Sequence, residues 1–281
     1  MKENGGAFVG RPLRSARRLA HRLVPSERRI KGLGGAKGRG WLQLRKLLAP
    51  WFQRTVTLET ADHLRLRVTA DPVDEQIVQH LLGPKRGEYF PSTLGELPTG
   101  ACILDVGAHH GFYAALALHT YPGARVICVE PSRAAVGLLS ANLRVNGFAA
   151  RARIVNVGLA SARGHGELRH SAEGTWASSL YEDDSLATGS ETVRLETLDE
   201  ILGEDRPYII KCNAEGAEYS LIEQLFRTDI RPAFMLLMVH PEFGDEGELV
   251  RHAHAMGYRL VDVGTRARPA KQMWLSAERS V

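Results

Sequence analysis

Only three cysteines occur in the chain, and Cys102, Cys128 and Cys212 each fall in an apolar run that reads as a strand. An odd set of this kind excludes a disulfide framework and fits a reducing compartment, so a cytoplasmic location is the expectation. None of the three has metal-ligand spacing, and no metal site is read from the pattern. No apolar run reaches the roughly 18 residues that a membrane-crossing helix requires. Acidic residues are nearly missing from one end, where residues 1–54 hold 14 Lys and Arg against 2 Asp and Glu. Residues 55–281 carry 22 against 30, so the net charge of +4 is a property of the first segment alone.

The glycines of a dinucleotide site are missing too. The stretch Cys102 to Glu130 reads as strand, glycine turn, helix, loop and strand. Its turn is DVGAHHG, whereas the dinucleotide fingerprint is G-x-G-x-x-G. His109 stands where the second glycine belongs and Phe112 where the third belongs, so a pyrophosphate fits poorly and a nicotinamide oxidoreductase is disfavoured. Glu130 lies at the carboxyl end of the next strand, at a spacing that lets an acid accept hydrogen bonds from ribose hydroxyls. A nucleoside without phosphates fits this turn, and S-adenosylmethionine is the obvious one.

Taken in order, residues 1–54 form a basic extension. Leu13, Ala16, Leu19, Ala20 and Leu23 fall at helical spacing among arginines, and a second short pattern runs from Trp41 to Leu48. The extension reads as a solvated tail, an interfacial helix on anionic lipid, or a weak contact to a polyanion. Its Arg-rich, acid-poor composition also has the look of a transit peptide. Thr55–Thr60 and Leu64–Thr69 alternate with period two, which predicts a hairpin leading into a domain of residues 55–281. Asp74–Leu82 is amphipathic. Glu88–Leu97 follows, with Tyr89 and Phe90 either lining a ligand or lying in the core.

Further buried strands are expected at Ala152–Val157, Pro207–Cys212 and Ala233–Val239, with helices between them. A closing pair of strands is expected at Tyr258–Val263 and Gln272–Ser276. Ser132, Thr197 with Glu200, and Asn146–Gly147 supply helix caps. The alternation predicts an α/β, Rossmann-like domain with a doubly wound, mainly parallel seven-stranded sheet.

Lys211, Asn213, Glu215, Glu218 and His240 sit at the carboxyl ends of the Pro207 and Ala233 strands and should share a crevice with Gly107 and Glu130. Transfer of a methyl group to a hydroxyl needs a base suited to neutral pH. His240 is the first choice and Glu215 the second, though Glu215 can instead cap the next helix. Lys211 either pairs with a carboxylate or lies near a developing oxyanion.

These residues carry a resemblance. DVGAHHGFYA and VEPS resemble the first two motifs of class I methyltransferases. TLDEIL, YIIKCNAEGAEYSLIEQL and LMVHPEF resemble the closing signature of the FkbM-type family, over roughly residues 55–276. The resemblance implies a class I fold, S-adenosylmethionine as cofactor, and O-methylation of a small-molecule, sugar or lipid-linked hydroxyl. It implies donor contacts at Asp105, Gly107, Ala108, Gly111, Glu130, Pro131, Ser132 and Asn213, and catalytic roles at His240, Glu215, Lys211 and Glu218. Three positions depart from the family pattern: Asn213 replaces an aspartate, Met238 a glutamate and His109 an asparagine. The first two remove carboxylates from the acceptor side, which leaves a changed acceptor or a non-catalytic protein as an alternative. An RNA methyltransferase using the basic extension is a further alternative, although no N/D-P-P-Y/F motif is present.

Overall fold

The computed structural model describes residues 55–69, 72–82, 89, 95–170, 189–265 and 273–279. The helices expected within residues 1–54 and the segment Gly174–Leu180 lie outside the described residues, as does Phe90. The chain divides into two compact units, residues 1–71 and 72–281.

In the first unit, β1 (Val56–Glu59) and β2 (Arg65–Val68) pair antiparallel, the predicted hairpin. Leu58, Leu64, Leu66 and Val68 are buried, and His63 takes a positive φ of 69° in the turn.

The second unit opens with α1 (Pro72–Leu82), β3 (Cys102–Val106), α2 (Phe112–Thr120), β4 (Arg125–Val129) and α3 (Arg133–Val145). It continues with β5 (Ala152–Val155), β6 (Gly158–Leu159), β7 (Gly164–His170), β8 (Gly189–Glu196) and α4 (Leu198–Leu202). It closes with β9 (Pro207–Cys212), α5 (Ala217–Arg227), β10 (Phe234–Val239), α6 (Glu246–Ala255), β11 (Tyr258–Thr265) and β12 (Met273–Arg279).

The main sheet has the order β11-β12-β10-β9-β3-β4-β5. From β10 to β5 every neighbour is parallel, while β12 and β11 close the other edge antiparallel. From β3 the chain winds one way to β4 and β5 and the other way to β9 and β10. The β3–β9 boundary is therefore the switch point where a crevice opens at the strand tips.

Side chains of β3 alternate across the sheet. Cys102, Leu104 and Val106 join Ile127, Val129, Leu221, Ile222, Leu225 and Leu249 in one apolar cluster. The strand expected as buried at Ala152–Val157 is shorter and only half-buried, because β5 is the sheet edge. A separate three-stranded sheet, β6-β8-β7, gathers the segment read only as a turn and an extra strand. Thr197 and Glu200 form the expected capping box of α4. Ser132 caps α3, and Gly147 takes its left-handed place with φ 73°.

Candidate functional site

The turn after β3 is built around two glycines in the left-handed region, where any side chain would be strained. Gly107 has φ 70°, and a Cβ there would stand 1.9 Å from the carbonyl oxygen of Asn213. Gly111 has φ 76°, and its Cβ would stand 2.3 Å from Leu139 Cδ1 of α3. Between them His109 also lies in the left-handed region, at φ 48°. Histidine, like asparagine and aspartate, tolerates that region better than most residues.

Glu130, at the tip of β4, is buried. Its Oε2 accepts the His109 amide at 2.7 Å and its Oε1 the Ser132 amide at 2.9 Å. Burial pushes the carboxyl's pKa up, and those two amides oppose it. Each carboxylate oxygen accepts more than one hydrogen bond, so acceptor capacity remains for ribose hydroxyls. Pro131 turns the chain away, and the carbonyls of Glu130 and Pro131 each accept Asn156 Nδ2 at 2.8 Å. The Ala108 amide donates to the Val129 carbonyl at 3.0 Å, which ties the turn to β4.

Asp105 and Lys211 are register partners on β3 and β9. Lys211 Nζ lies 2.8 Å from Asp105 Oδ1, and it donates to the Gly107 carbonyl at 2.8 Å. Asp105 has no exposed surface, and among the described residues no donor reaches its Oδ2. Burial raises its pKa against the opposing pull of Lys211. Lys211 thus stands under the donor turn and pairs with Asp105, not with Glu215 or Glu218.

A second group forms where β9 runs into α5 and β10 ends. Glu215 at φ 43° and Gly216 at φ 101° make consecutive left-handed steps. Gly216 is the N-cap of α5, and its amide donates to Glu218 Oε2 at 2.9 Å, so Glu218 rather than Glu215 satisfies that helix start. Glu218 Oε1 accepts the His240 amide at 2.8 Å and lies 3.0 Å from His240 Nδ1. His240 Nε2 is 3.4 Å from Glu215 Oε2. Burial works against a charged ring here. The hydrogen bonds to Glu215 and then Glu218 outweigh it and raise the His240 pKa to about 10. The side chain of Glu215 is 19% exposed against 1% for His240, so Glu215 is the more accessible of the two. Tyr219 Oη donates to the His240 carbonyl at 3.1 Å. Burial and the charges of Glu218, Glu246, Glu242 and Asp245 keep its phenol protonated.

Sequence reasoning missed Asp74 and His110. His110 Nδ1 lies 2.6 Å from Asp74 Oδ1, both groups being buried. The His110 ring also stacks on His109 with centroids 3.7 Å apart. Burial and the His110 ring push the His109 pKa down to about 3. One signal was available: Asp74 shares a helical stripe with Ile77, Val78 and Leu81, where a charge is out of place.

An open α/β sheet with a glycine turn, an acid at the next strand tip and a polar cluster opposite defines the Rossmann-like class of nucleoside-binding folds. Residues 105–260 match the FkbM methyltransferase domain, more than half of the chain, and the protein belongs to that family. A methyltransferase from Sordaria araneosa, sdnD, is 28% identical over 113 residues, 39% of this chain and 44% of that protein. The match thus spans less than half the length of that curated relative. Among solved structures, a precorrin-6y C5,15-methyltransferase from Geobacter metallireducens covers 70% of this chain and 88% of its own, at 12% identity and a TM-score of 0.43. Fibrillarin from Aeropyrum pernix, solved with S-adenosyl-L-methionine, covers 69% of this chain and 74% of its own, at 13% identity and a TM-score of 0.42.

Proposed function

We propose that the protein transfers a methyl group from S-adenosylmethionine to a hydroxyl of a small molecule, sugar or glycolipid. The Glu215–His240–Glu218 cluster carries this reading, because it sets a hydrogen-bonded acid–imidazole chain at the tips of β9 and β10. When bound, S-adenosylmethionine supplies an electrophilic methyl that leaves sulfur as the acceptor oxygen attacks it. The turn residues fit such a donor. Glu130 retains acceptor capacity for the ribose, and Lys211 beside the turn is already paired with Asp105, so it offers no unpaired cation to a phosphate.

The chain's own part in catalysis is alignment and proton removal. His240 holds its proton at neutral pH, so it orients and charges the cluster instead of acting as the first base. Glu215, the more accessible of the two, takes the hydroxyl proton. A carboxylate suffices because the oxygen becomes strongly acidic once its bond to carbon is forming. Glu218, locked on the His240 amide and ring, fixes the orientation of the imidazolium.

The acceptor side favours a neutral or cationic compound over RNA. Glu242, Asp245, Glu246 and Glu248 follow His240 within one 3-10 turn and the start of α6. Phosphates approaching there would meet like charge. The buried Met238 in place of a glutamate favours an acceptor unlike that of other family members.

Incubation with methyl-labelled donor and separate small-molecule, lipid and RNA fractions tests the reading. Label in a hydroxyl of a small molecule or lipid is expected, and label in RNA alone would replace the proposal. Glu130→Ala should weaken donor binding by more than about tenfold in calorimetry, as loss of charge-assisted hydrogen bonds does.

A further inference from the structure

The pair His109–His110 faces a carboxylate that comes from 36 residues earlier in the chain. Among the described residues, one ligand atom from each of Asp74, His109 and His110 lies within 4.8 Å of the other two. Two atoms bound at about 2.1 Å to one tetrahedral ion stand about 3.4 Å apart, so His110 Nδ1 and Asp74 Oδ1, now at 2.6 Å, open by about 1 Å to share an ion. We propose that these three side chains form a site for a single borderline divalent transition-metal ion, of the zinc, cobalt or nickel type.

The donor set decides the class. Two imidazoles and one carboxylate suit such ions, whereas magnesium and calcium prefer oxygen ligands. Three protein ligands leave at least one coordination position open, as in sites that exchange water or bind a further group. His109 is half-buried, in contrast to the buried Asp74 and His110, and gives the path of entry. The stacked rings must part for both nitrogens to reach one ion. The ion replaces the proton held between His110 Nδ1 and Asp74 Oδ1.

Two framing contacts suit the role. The His110 carbonyl accepts Asn142 Nδ2 at 2.8 Å, and the His109 amide is held by Glu130. The backbone of the turn is thereby fixed on both sides while its two imidazoles are presented together. An ion here would staple α1 to the donor turn, and by linkage metal and donor would strengthen each other's binding. The site stands on its own residues and does not depend on the methyl-transfer reading.

The test uses the full chain, free of any affinity tag and stripped with a chelator. Cobalt(II) is titrated by visible absorption and zinc by competition with a chromophoric chelator. One ion per chain is expected, with a ligand-field band displaced by zinc and a raised melting temperature. His109→Asn keeps a residue that tolerates the left-handed turn and should weaken binding by about 100-fold or more. Asp74→Asn should do the same, and if it fails to fold, His109→Asn decides. Absence of saturable uptake by the parent chain, or equal uptake by a His109→Asn protein with an unchanged circular dichroism spectrum, would overturn the site. Calorimetric titration of S-adenosylmethionine into the metal-free chain runs beside it, so that loss of one reading is told apart from loss of the other.

Discussion

Asp105 and Lys211 show how a single residue can serve a site without touching a substrate. Lys211 neutralises a carboxylate that has no access to water, and the same ammonium holds the Gly107 carbonyl. Lys211→Met should therefore destabilise the fold by about 3–5 kcal/mol in urea unfolding, since it leaves a buried charge alone. Adding Asp105→Asn should recover much of that loss, because no uncompensated charge remains; a strictly additive double mutant would show that the two do not interact. His240 makes a different prediction. Its pKa is raised in the folded state to about 10, so the stability it contributes is complete below its unfolded value near 6.5 and is lost as pH rises through about 10. The melting temperature of the parent should fall across pH 7 to 10 more steeply than that of His240→Gln. Equal slopes would mean that Glu215 and Glu218 do not hold the proton there.

At the scale of the element, α2 and α3 have divided tasks. Phe112 to Leu118 are buried all round, so α2 is a core helix with no solvent face for most of its length. Arg151 closes its far end, donating through Nη1 to the carbonyls of Tyr121, Pro122 and Ala124 and through Nη2 to that of Leu118. A cation at a helix C-terminus that also satisfies four carbonyls is worth more than a surface ion pair. Helix α3 supplies Leu139, whose Cδ1 fills the space that Gly111 leaves open. Leu139→Ala should cost about 2–5 kcal/mol by chemical denaturation, as deletion of a fully buried leucine does. It should also loosen donor binding, because the turn loses the wall that seats it. Unchanged donor affinity in a destabilised variant would confine Leu139 to packing.

For the molecule as a whole, charge separates two regions of the sequence. The basic residues 1–54 stand apart in sequence from an acidic remainder, and we propose that they bring the protein to anionic lipid or another polyanion. A chain beginning at residue 55 is expected to lose salt-sensitive binding to phosphatidylserine vesicles while still binding S-adenosylmethionine. Vesicle binding that survives the deletion would move the contact elsewhere.

Short-range chemistry was legible along the chain. Four of the five parallel strands, β3, β4, β9 and β10, are largely apolar runs because both their faces are buried, and the caps Ser132 and Thr197 act within one helical turn. The glycine turn, Glu130 and the Glu215–Gly216 step could be placed because strand ends project toward one side of such a sheet. Contacts between residues far apart in sequence were settled only by folding. Lys211 lies beside Asp105 because β9 is inserted next to β3, against the chain's order. His240 is charged because α5 brings Glu218, and the turn brings Glu215, to its two nitrogens. Asp74 meets His110 because α1 packs against the turn. Spacing along a chain carries local backbone preference and hydrophobic period, but the protonation state of a buried group depends on neighbours that only the tertiary arrangement brings near.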